Sequence, residues 1–388
     1  MPARPLHYGD EINLQRPSIV ISANSLWNLV NFRGGLIRAL AAAGIEVVLA
    51  APPDRDDVLP PDLPGELREL PIDRSGMNPF ADSLLTFRYA RLLRAIRPRA
   101  MLSFTIKPNI YGALAARMAR VPSIANVSGL GTAFIRGGLF SRFVSALYRL
   151  AFAGSHVVFF QNPDDIDLFL SRGIVARNKA RLLPGSGINL ERFVPARPLE
   201  SGPPIFLFIG RLLADKGVRE FVEAARLTRK QFPAARFRIL GGLDPENRTA
   251  IAQDELNQWA ADGDVEYLGP ADDVRPFISK ASAIVLPSYR EGLPRSLLEG
   301  AAMARPLIAT DVPGCREIVK DGVTGLLCQV RSGASLADAM ARFAAMGVDR
   351  RQALGEAARR MVEAEYDERI VIEAYLEVLK PLIGIEEK

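Results

Sequence analysis

The apolar positions of this chain fall into short unbroken runs, separated by stretches whose apolar residues recur at helical spacing. In the first half the runs cover residues 19–23, 45–50, 100–104, 123–127 and 157–161. Runs of this length without polar alternation predict strands buried on both faces, as in parallel sheets. Between them the pattern predicts a helix from Arg33-Gly34-Gly35-Leu36 to about residue 43, stopped by Gly44. It also predicts a basic helix over 84–96 with Arg88, Arg91 and Arg94 at helical spacing, and a capped helix over 163–172. The pattern restarts at 205–210 and continues through 236–240, 265–268, 283–286, 306–310 and 325–328. Strand and helix alternating twice over predict an α/β protein with two doubly wound, Rossmann-like domains. The first covers 1–190 and the second 191–364. A last helical stretch, 365–388, follows. Residues 183–189, Leu-Pro-Gly-Ser-Gly-Ile-Asn, read as the hinge, and 52–64, rich in Pro and Asp, as a surface loop.

A length of 388 residues and 48% hydrophobic residues fit two domains, each with its own core. The two cysteines, Cys315 and Cys328, have neither a disulfide framework nor zinc spacing, which points to a reducing cytoplasm. Residues 1–17 hold no apolar signal-peptide core, and no run approaches the roughly 18 apolar residues of a spanning helix. Charge is uneven. Residues 1–190 carry 22 Lys and Arg against 14 Asp and Glu, and residues 83–163 carry eleven basic residues and no acid. Such a half expects an anionic partner: a membrane surface, a nucleic acid or a phosphorylated substrate. Nucleic acid is the weakest of these, because no basic strand interleaved with aromatics and no recognition helix is present.

The chemistry concentrates in 282–300. Ala283-Ile284-Val285-Leu286 is a buried strand, Pro287 ends it, and a tight loop carries Glu291 and Gly292. Pro294 suits the first turn of the next helix. Glu299 then falls about one turn in. A helix start offers free N–H groups to a phosphate, and two carboxylates beside it can accept bonds from hydroxyls. A diphosphate flanked by two polyhydroxylated rings, which is a nucleotide-sugar, needs both. Gly210-Arg211-Leu212-Leu213-Ala214-Asp215-Lys216-Gly217 follows the first strand of the second domain. Two cations at a strand end, Arg211 and Lys216, can clamp a diphosphate and stabilise the charge on a departing nucleotide.

Glu291 and Glu299, seven residues between them and this Gly and Pro inside, resemble the signature of the family 4 retaining glycosyltransferases. The resemblance extends to Gly-Arg…Lys-Gly at 210–217, to Gly185-Ser-Gly-Ile-Asn189 and to Asp321-Gly-Val-Thr-Gly-Leu-Leu327. It implies the GT-B arrangement, two such domains facing a central cleft, with the last helix crossing back to the first domain. By it Glu291 faces the hydroxyls of the transferred sugar and Glu299 holds the nucleotide ribose. Arg211, Lys216 and Glu291 are thus the catalytic candidates. Gly34, Gly35, Gly210, Gly292, Leu293, Ser296, Leu297 and Glu299 are candidate donor contacts. Asn31-Phe-Arg-Gly-Gly35, Lys107-Pro-Asn109 and Gly129-Leu-Gly131 look like a narrower group. That group adds sugars such as N-acetylgalactosamine or galactose to a polyprenyl-diphosphate-linked acceptor at the cytoplasmic membrane face.

The chain departs from the family in one respect. Many members place a histidine in the loop after the fifth strand, here 126–132, which contains none. His7 and His156 read as structural. The resemblance therefore leaves Gly129 and Gly131, or Lys107 and Asn109, as sugar or acceptor contacts. The pairs Asp54/Asp56, Asp165/Asp167 and Asp262/Asp264 read as solvated charges and helix caps, not a metal site. The expected activity is retaining, metal-independent transfer of a hexose or N-acetylhexosamine from a UDP-sugar, without a cofactor. The expected acceptor is lipid-linked, with the enzyme peripheral on an anionic inner membrane face. A phosphorylase, an epimerase or a transferase with a soluble acceptor are the alternatives.

Overall fold

A computed structural model of the chain describes residues 17–52, 59–73, 78–130, 138–245 and 247–384. The first sheet contains β1 (Ser18–Ser22), β2 (Glu46–Ala51), β3 (Glu66–Glu69), β4 (Ala100–Phe104), β5 (Ser123–Val127), β6 (Val157–Phe160) and β7 (Ala180–Leu182). Its order is β3-β2-β1-β4-β5-β6-β7. The second contains β8 (Ile205–Ile209), β9 (Arg236–Leu240), β10 (Glu266–Tyr267), β11 (Ala283–Leu286), β12 (Leu307–Thr310) and β13 (Gly325–Cys328), in the order β10-β9-β8-β11-β12-β13. Pairing is parallel. β1, β4, β5, β11 and β12 are buried at every position, which is why they read as continuous apolar runs. β3 and β7 escaped the sequence reading. Their sequences, Glu-Leu-Arg-Glu and Ala-Arg-Leu, are the half-exposed edge kind that carries no such signal.

Two compact units divide the chain. One comprises Met1–Asn126, Leu150–Val157 and Tyr375–Lys388, the other Val127–Arg149 and Val158–Ala374.

In the first unit, α1 spans Leu26–Ala42, not 33–43 as expected. Ser25 caps it, its Oγ accepting the Asn28 N–H at 3.1 Å. Leu26 and Leu29 continue the buried stripe of Leu36, Ile37 and Leu40, so the helix extends about two turns upstream of the expected start. Gly34 and Gly35 consequently lie inside the helix rather than at its start, and a Cβ on Gly34 would sit 3.2 Å from Arg38 Nη1. α2, Pro79–Ile96, also begins before the expected 84. Asn78 Oδ1 accepts the Phe80 and Ala81 N–H groups, and Pro79 needs no N–H in the first turn. α2 buries Leu85, Tyr89, Leu93 and Ile96. A turn of π-helix, Pro108–Gly112, follows β4 and leads into α3 (Ala113–Ala119). Tyr375 closes this unit's core against Phe104, ring centroids 6.1 Å apart, and its hydroxyl accepts from Asn126 Nδ2 at 2.8 Å.

The second unit contains most of α4 (Gly138–Phe152), then α5 (Pro163–Ser171), α6 (Val218–Arg229), α7 (Gln253–Ala261), α8 (Arg275–Ile278), α9 (Arg295–Ala302), α10 (Cys315–Ile318), α11 (Gly333–Ala345) and α12 (Val348–Glu365). α13 (Glu368–Ile383) starts in it. Phe206, Phe208, Phe221, Phe237 and Phe343 form an aromatic core, Phe206 stacked on Phe237 at 5.3 Å. The stretch read as a hinge is bonded in place. Ile188 N donates to Tyr366 O at 2.8 Å, Glu368 N to Ile188 O at 3.1 Å, and Asn189 Nδ2 to Glu368 Oε1 at 2.6 Å.

Candidate active site

The second sheet winds outward in both directions from β8 and β11: β9 and β10 extend it on one side, β12 and β13 on the other. Loops that leave two such strands diverge, and a crevice opens at the carboxyl ends. The loop after β8 carries Gly210, Arg211 and Lys216, and the loop after β11 carries Glu291 and Gly292. Sheet register, Ile284 beside Leu207 and Val285 beside Phe208, thus brings together residues 75 positions apart. Lys216 Nζ donates to Glu291 Oε1 in an ion pair whose side chains are 25% and 11% exposed. Behind Lys216, Gly217 has φ 74°, and a Cβ there would lie 2.1 Å from Pro287 O. No other residue lets the two loops approach so closely. Arg211 is mostly exposed and donates from Nη1 to Asp244 Oδ2 at 2.8 Å. Each candidate cation therefore has a carboxylate partner, which the sequence did not reveal for Asp244.

The Glu291 loop is held residue by residue. Tyr289 N donates to Asp215 O at 2.9 Å, and its hydroxyl to Glu220 Oε1 at 2.6 Å. Burial and the Glu220 carboxylate push the Tyr289 phenol up to about 12. Glu291 N donates to Pro313 O at 3.1 Å, and Gly292 O accepts from Asn162 Nδ2 at 2.8 Å. Gly292 is hemmed in by Ser128 O, 2.3 Å from where a Cβ would be. Gly129, φ 132°, approaches Gly292 N, and Gly314, φ 86°, approaches Gly292 O. Gly129 thus lies beside the β11 loop. Buried Cys315 is nearby, its thiol raised well above the usual range by burial and by the Glu291 charge.

α9 begins at once. Pro294 is its N-cap and supplies no side-chain cap, so the first turn faces the Glu291 loop with backbone N–H groups. Leu297 is fully buried and offers only its backbone. Leu293 packs under Gly185, where a Cβ would come within 2.7 Å of Leu293 Cδ2. Glu299 accepts from Arg295 Nε at 3.0 Å. Burial raises its carboxyl above the ordinary range, against the opposing pull of Arg295 and Arg192.

Gly34, Gly35, Lys107 and Asn109 belong to the first unit. Gly34 and Gly35 do not stand at a helix start as expected, since α1 starts at Leu26. Lys107 Nζ pairs with buried Asp82 Oδ1 at 2.8 Å, and the Tyr111 hydroxyl donates to Asp82 Oδ2 at 2.9 Å. Asn109 is 1% exposed and bonds Ser103 Oγ and Asn126 O, which locks the turn after β4. Gly131, Arg136, His7 and the Asp54/Asp56 pair lie outside the described residues. His156 is exposed in the turn before β6.

Two aspartates read as solvated are not. Asp165 is fully buried and pairs with Arg290. Asp264, 7% exposed, accepts from Arg226 Nε at 2.8 Å. Asn162 and Asp165 carry the spacing of a helix cap, which says nothing of what packs on them. That is why their link to the Glu291 loop was missed.

The family model described as Glycosyl transferases group 1 matches residues 203–345, and the Glycosyl transferase 4-like domain matches residues 31–185. The chain is 30% identical over 375 residues to the N,N'-diacetylbacillosaminyl-diphospho-undecaprenol alpha-1,3-N-acetylgalactosaminyltransferase of Campylobacter jejuni, covering 92% of this chain and 96% of that one. It is 23% identical over 308 residues to the capsular polysaccharide biosynthesis glycosyltransferase CapM of Staphylococcus aureus, covering 76% and 80%. Sucrose-phosphate synthase from Thermosynechococcus elongatus superposes with a TM-score of 0.79 at 20% identity, covering 95% of this chain and all of the other. Anabaena HepE in complex with UDP and glucose gives 0.73 at 14% identity, covering 93% and 99%. These two structures establish the fold, GT-B. With the group 1 pattern across β8 to β13 and a relative matched along nearly its whole length, this chain belongs to the group 1 glycosyltransferases.

Proposed function

We propose that the enzyme moves a hexose or N-acetylhexosamine from a UDP-sugar to a hydroxyl of a polyprenyl-diphosphate-linked saccharide, keeping the anomeric configuration and using no metal. The observation that carries this reading is the Lys216–Glu291 pair at the switch point, beside the uncapped head of α9. The N–H groups of Ser296 and Leu297 and the two cations suit a diphosphate, Glu291 suits the hydroxyls of the sugar joined to it, and Glu299 suits the ribose. The bond from the sugar's anomeric carbon to the diphosphate oxygen breaks on the face that the acceptor oxygen approaches. The acceptor proton passes to the departing phosphate. Lys216 and Arg211 stabilise the charge left on UDP, so no metal is required for that purpose. The C. jejuni relative, named for a diphospho-undecaprenol acceptor and N-acetylgalactosamine transfer, supports a lipid-linked acceptor. HepE, bound to UDP and to UDP-glucose, supports uridine as the carrier. Lys107, which follows β4 and has its charge balanced by Asp82 of α2, serves the acceptor side.

A lipid-linked acceptor places the enzyme on the inner face of the membrane, and α2 suits that surface. Phe80, Leu84 and Phe87 stand on one face, 81%, 41% and 63% exposed, with Arg88, Arg91 and Arg94 following along the helix. Aromatic side chains enter the bilayer interface while cations meet anionic headgroups, each cation contributing on the order of 1 kcal/mol. α4 exposes Phe143 and Leu150 beside Arg142, but Arg149 is engaged with the carbonyls of Arg172 and Gly173. No helix among the described residues is long and apolar enough to cross a membrane. The test is a donor screen: UDP release and glycolipid formation for each common sugar nucleotide with a polyprenyl-diphosphate-sugar acceptor. Acceptor-dependent release with one UDP-sugar is the expected result. Sugar phosphate formed from inorganic phosphate would overturn the assignment.

A further inference from the structure

We propose that Asp165, Asn162 and Arg290 form a buried brace that positions Glu291 for sugar transfer. They are positioning residues, acting through the loop they hold. The proposal rests on the role given above to Glu291.

The brace reaches Glu291 from both sides along the chain. On one side, the side chain of Arg290 extends back to α5 and pairs with Asp165 Oδ1. On the other, Gly292 O accepts from Asn162 Nδ2 at 2.8 Å. Asn162 is itself fixed. It caps α5, its Oδ1 accepting the Asp165 N–H at 2.8 Å, which leaves its amide nitrogen to donate to Gly292 O. That nitrogen also lies 3.2 Å from Asp165 Oδ2, so the carboxylate bridges both arms. One helix N-terminus thereby holds residues 290 and 292, and the N–H of Glu291 is held by Pro313 O at 3.1 Å. Glu291 is thus bonded at its own N–H and flanked by two residues tied to α5, while its carboxylate pairs with Lys216.

Asp165 and Asn162 are both fully buried. They do not meet solvent, so solubility does not explain them. Stability explains them poorly as well, because a buried ion pair is commonly matched by apolar residues of the same volume. Directional bonds differ from apolar packing in fixing an orientation, and a reacting group displaced by about 1 Å can lose on the order of 100-fold in rate. Desolvation raises the Asp165 carboxyl while Arg290 draws it down, so each member of the pair depends on the other.

The experiment compares Arg290→Lys, Asp165→Asn and the double variant with wild type. For each, kcat for acceptor glycosylation, KM for the sugar nucleotide and Kd for UDP are measured, with thermal unfolding as a check on folding. Arg290→Lys keeps a cation beside Asp165 but loses the guanidinium's fixed geometry. We expect kcat to fall about 10- to 100-fold in each single variant. Donor KM and UDP Kd should stay within about threefold, and the double variant should be no worse than the weaker single, as for groups acting as one unit. Single variants with kcat within threefold of wild type, or losses that multiply in the double variant, would overturn the brace. So would kcat and UDP affinity falling together with the folded fraction. If Asp165→Asn does not fold, Arg290→Lys decides alone. Glu291→Gln is run in parallel. A silent Glu291→Gln overturns the reading of Glu291, and the brace with it, whereas a damaging Glu291→Gln beside a silent Arg290→Lys overturns the brace only.

Discussion

Replacing Gly292 with alanine tests the geometry of the site with one methyl group. The added Cβ would lie 2.3 Å from Ser128 O, 2.6 Å from Ser128 C and 2.9 Å from Gln161 Oε1. A carbon–oxygen contact is comfortable at about 3.3 Å, so the loop or the Ser128 peptide must retreat by about 1 Å. Retreat is obstructed. Gly314 packs its backbone against the carbonyls of Gly292 and Glu291, and Asn162 holds Gly292 O at 2.8 Å. Overpacking of this kind costs about 1–3 kcal/mol of stability. A shift of about 1 Å at Glu291 costs on the order of 100-fold in kcat. The control is Gly263→Ala. Gly263, unlike Gly292, has a positive φ, 72°, and open space around its Cβ position, so alanine there adds about 1–2 kcal/mol of backbone strain and no displacement at the site. Transfer rates at saturating donor, read beside calorimetric unfolding, should show both variants destabilised and only Gly292→Ala slow. Equal rates in the two variants would refute the claim that the loop is placed to within a fraction of an ångström.

Four further outcomes follow from the same geometry. Lys216→Ala and Arg211→Ala should each lower kcat by roughly 10²–10³-fold, the scale of losing a donor to developing charge, and near-wild-type turnover in both would remove the clamp. Burial raises the Glu299 carboxyl, and the ionised form is the one that accepts ribose hydroxyls. UDP affinity should therefore fall as pH drops toward that raised value, and calorimetry between pH 7.5 and 5 should find this component missing in Glu299→Gln. Transfer should persist in EDTA; activity lost there and restored by manganese or magnesium would contradict a metal-free clamp. Phe80→Ser with Phe87→Ser should release the enzyme from anionic vesicles in a sedimentation assay without changing its UDP affinity.

What was legible in the sequence divides along a physical line. Fully buried parallel strands announce themselves, because both faces demand apolar residues, so β1, β4, β5, β8, β11 and β12 were read within a residue or two. Edge strands β3 and β7 have no such demand and passed as loop. The start of α1 was missed because Gly34 and Gly35 look like a helix boundary, while the decisive signals were Ser25 and the phase of Leu26 and Leu29. Arg211, Lys216, Glu291 and Gly292 were legible from their place after strands that the sheet order sets side by side. Their partners were not. Asp244, Asp165 and Asn162 lie 33, 125 and 130 positions from Arg211, Arg290 and Gly292, and only the folded chain brings them together.

Those partners change how the site is understood. A clamp read from sequence consists of two cations awaiting a diphosphate, yet a mobile Lys or Arg would lose much of its contribution to the entropy of being held. Here Lys216 is already oriented by Glu291, and Glu291 is carried on a loop held by Tyr289 N on Asp215 O, its own N–H on Pro313 O and Asn162 Nδ2 on Gly292 O. On the proposed reading, the ion pair couples the two halves of the donor: the carboxylate that meets the sugar also aims the ammonium that meets the diphosphate. Removing Glu291 as alanine would then disturb both contacts, freeing Lys216 as well as exposing the sugar. Glutamine, which keeps an oxygen within reach of Lys216, would disturb mainly the first. The difference between those two substitutions in UDP affinity measures how far the clamp is organised before the donor arrives.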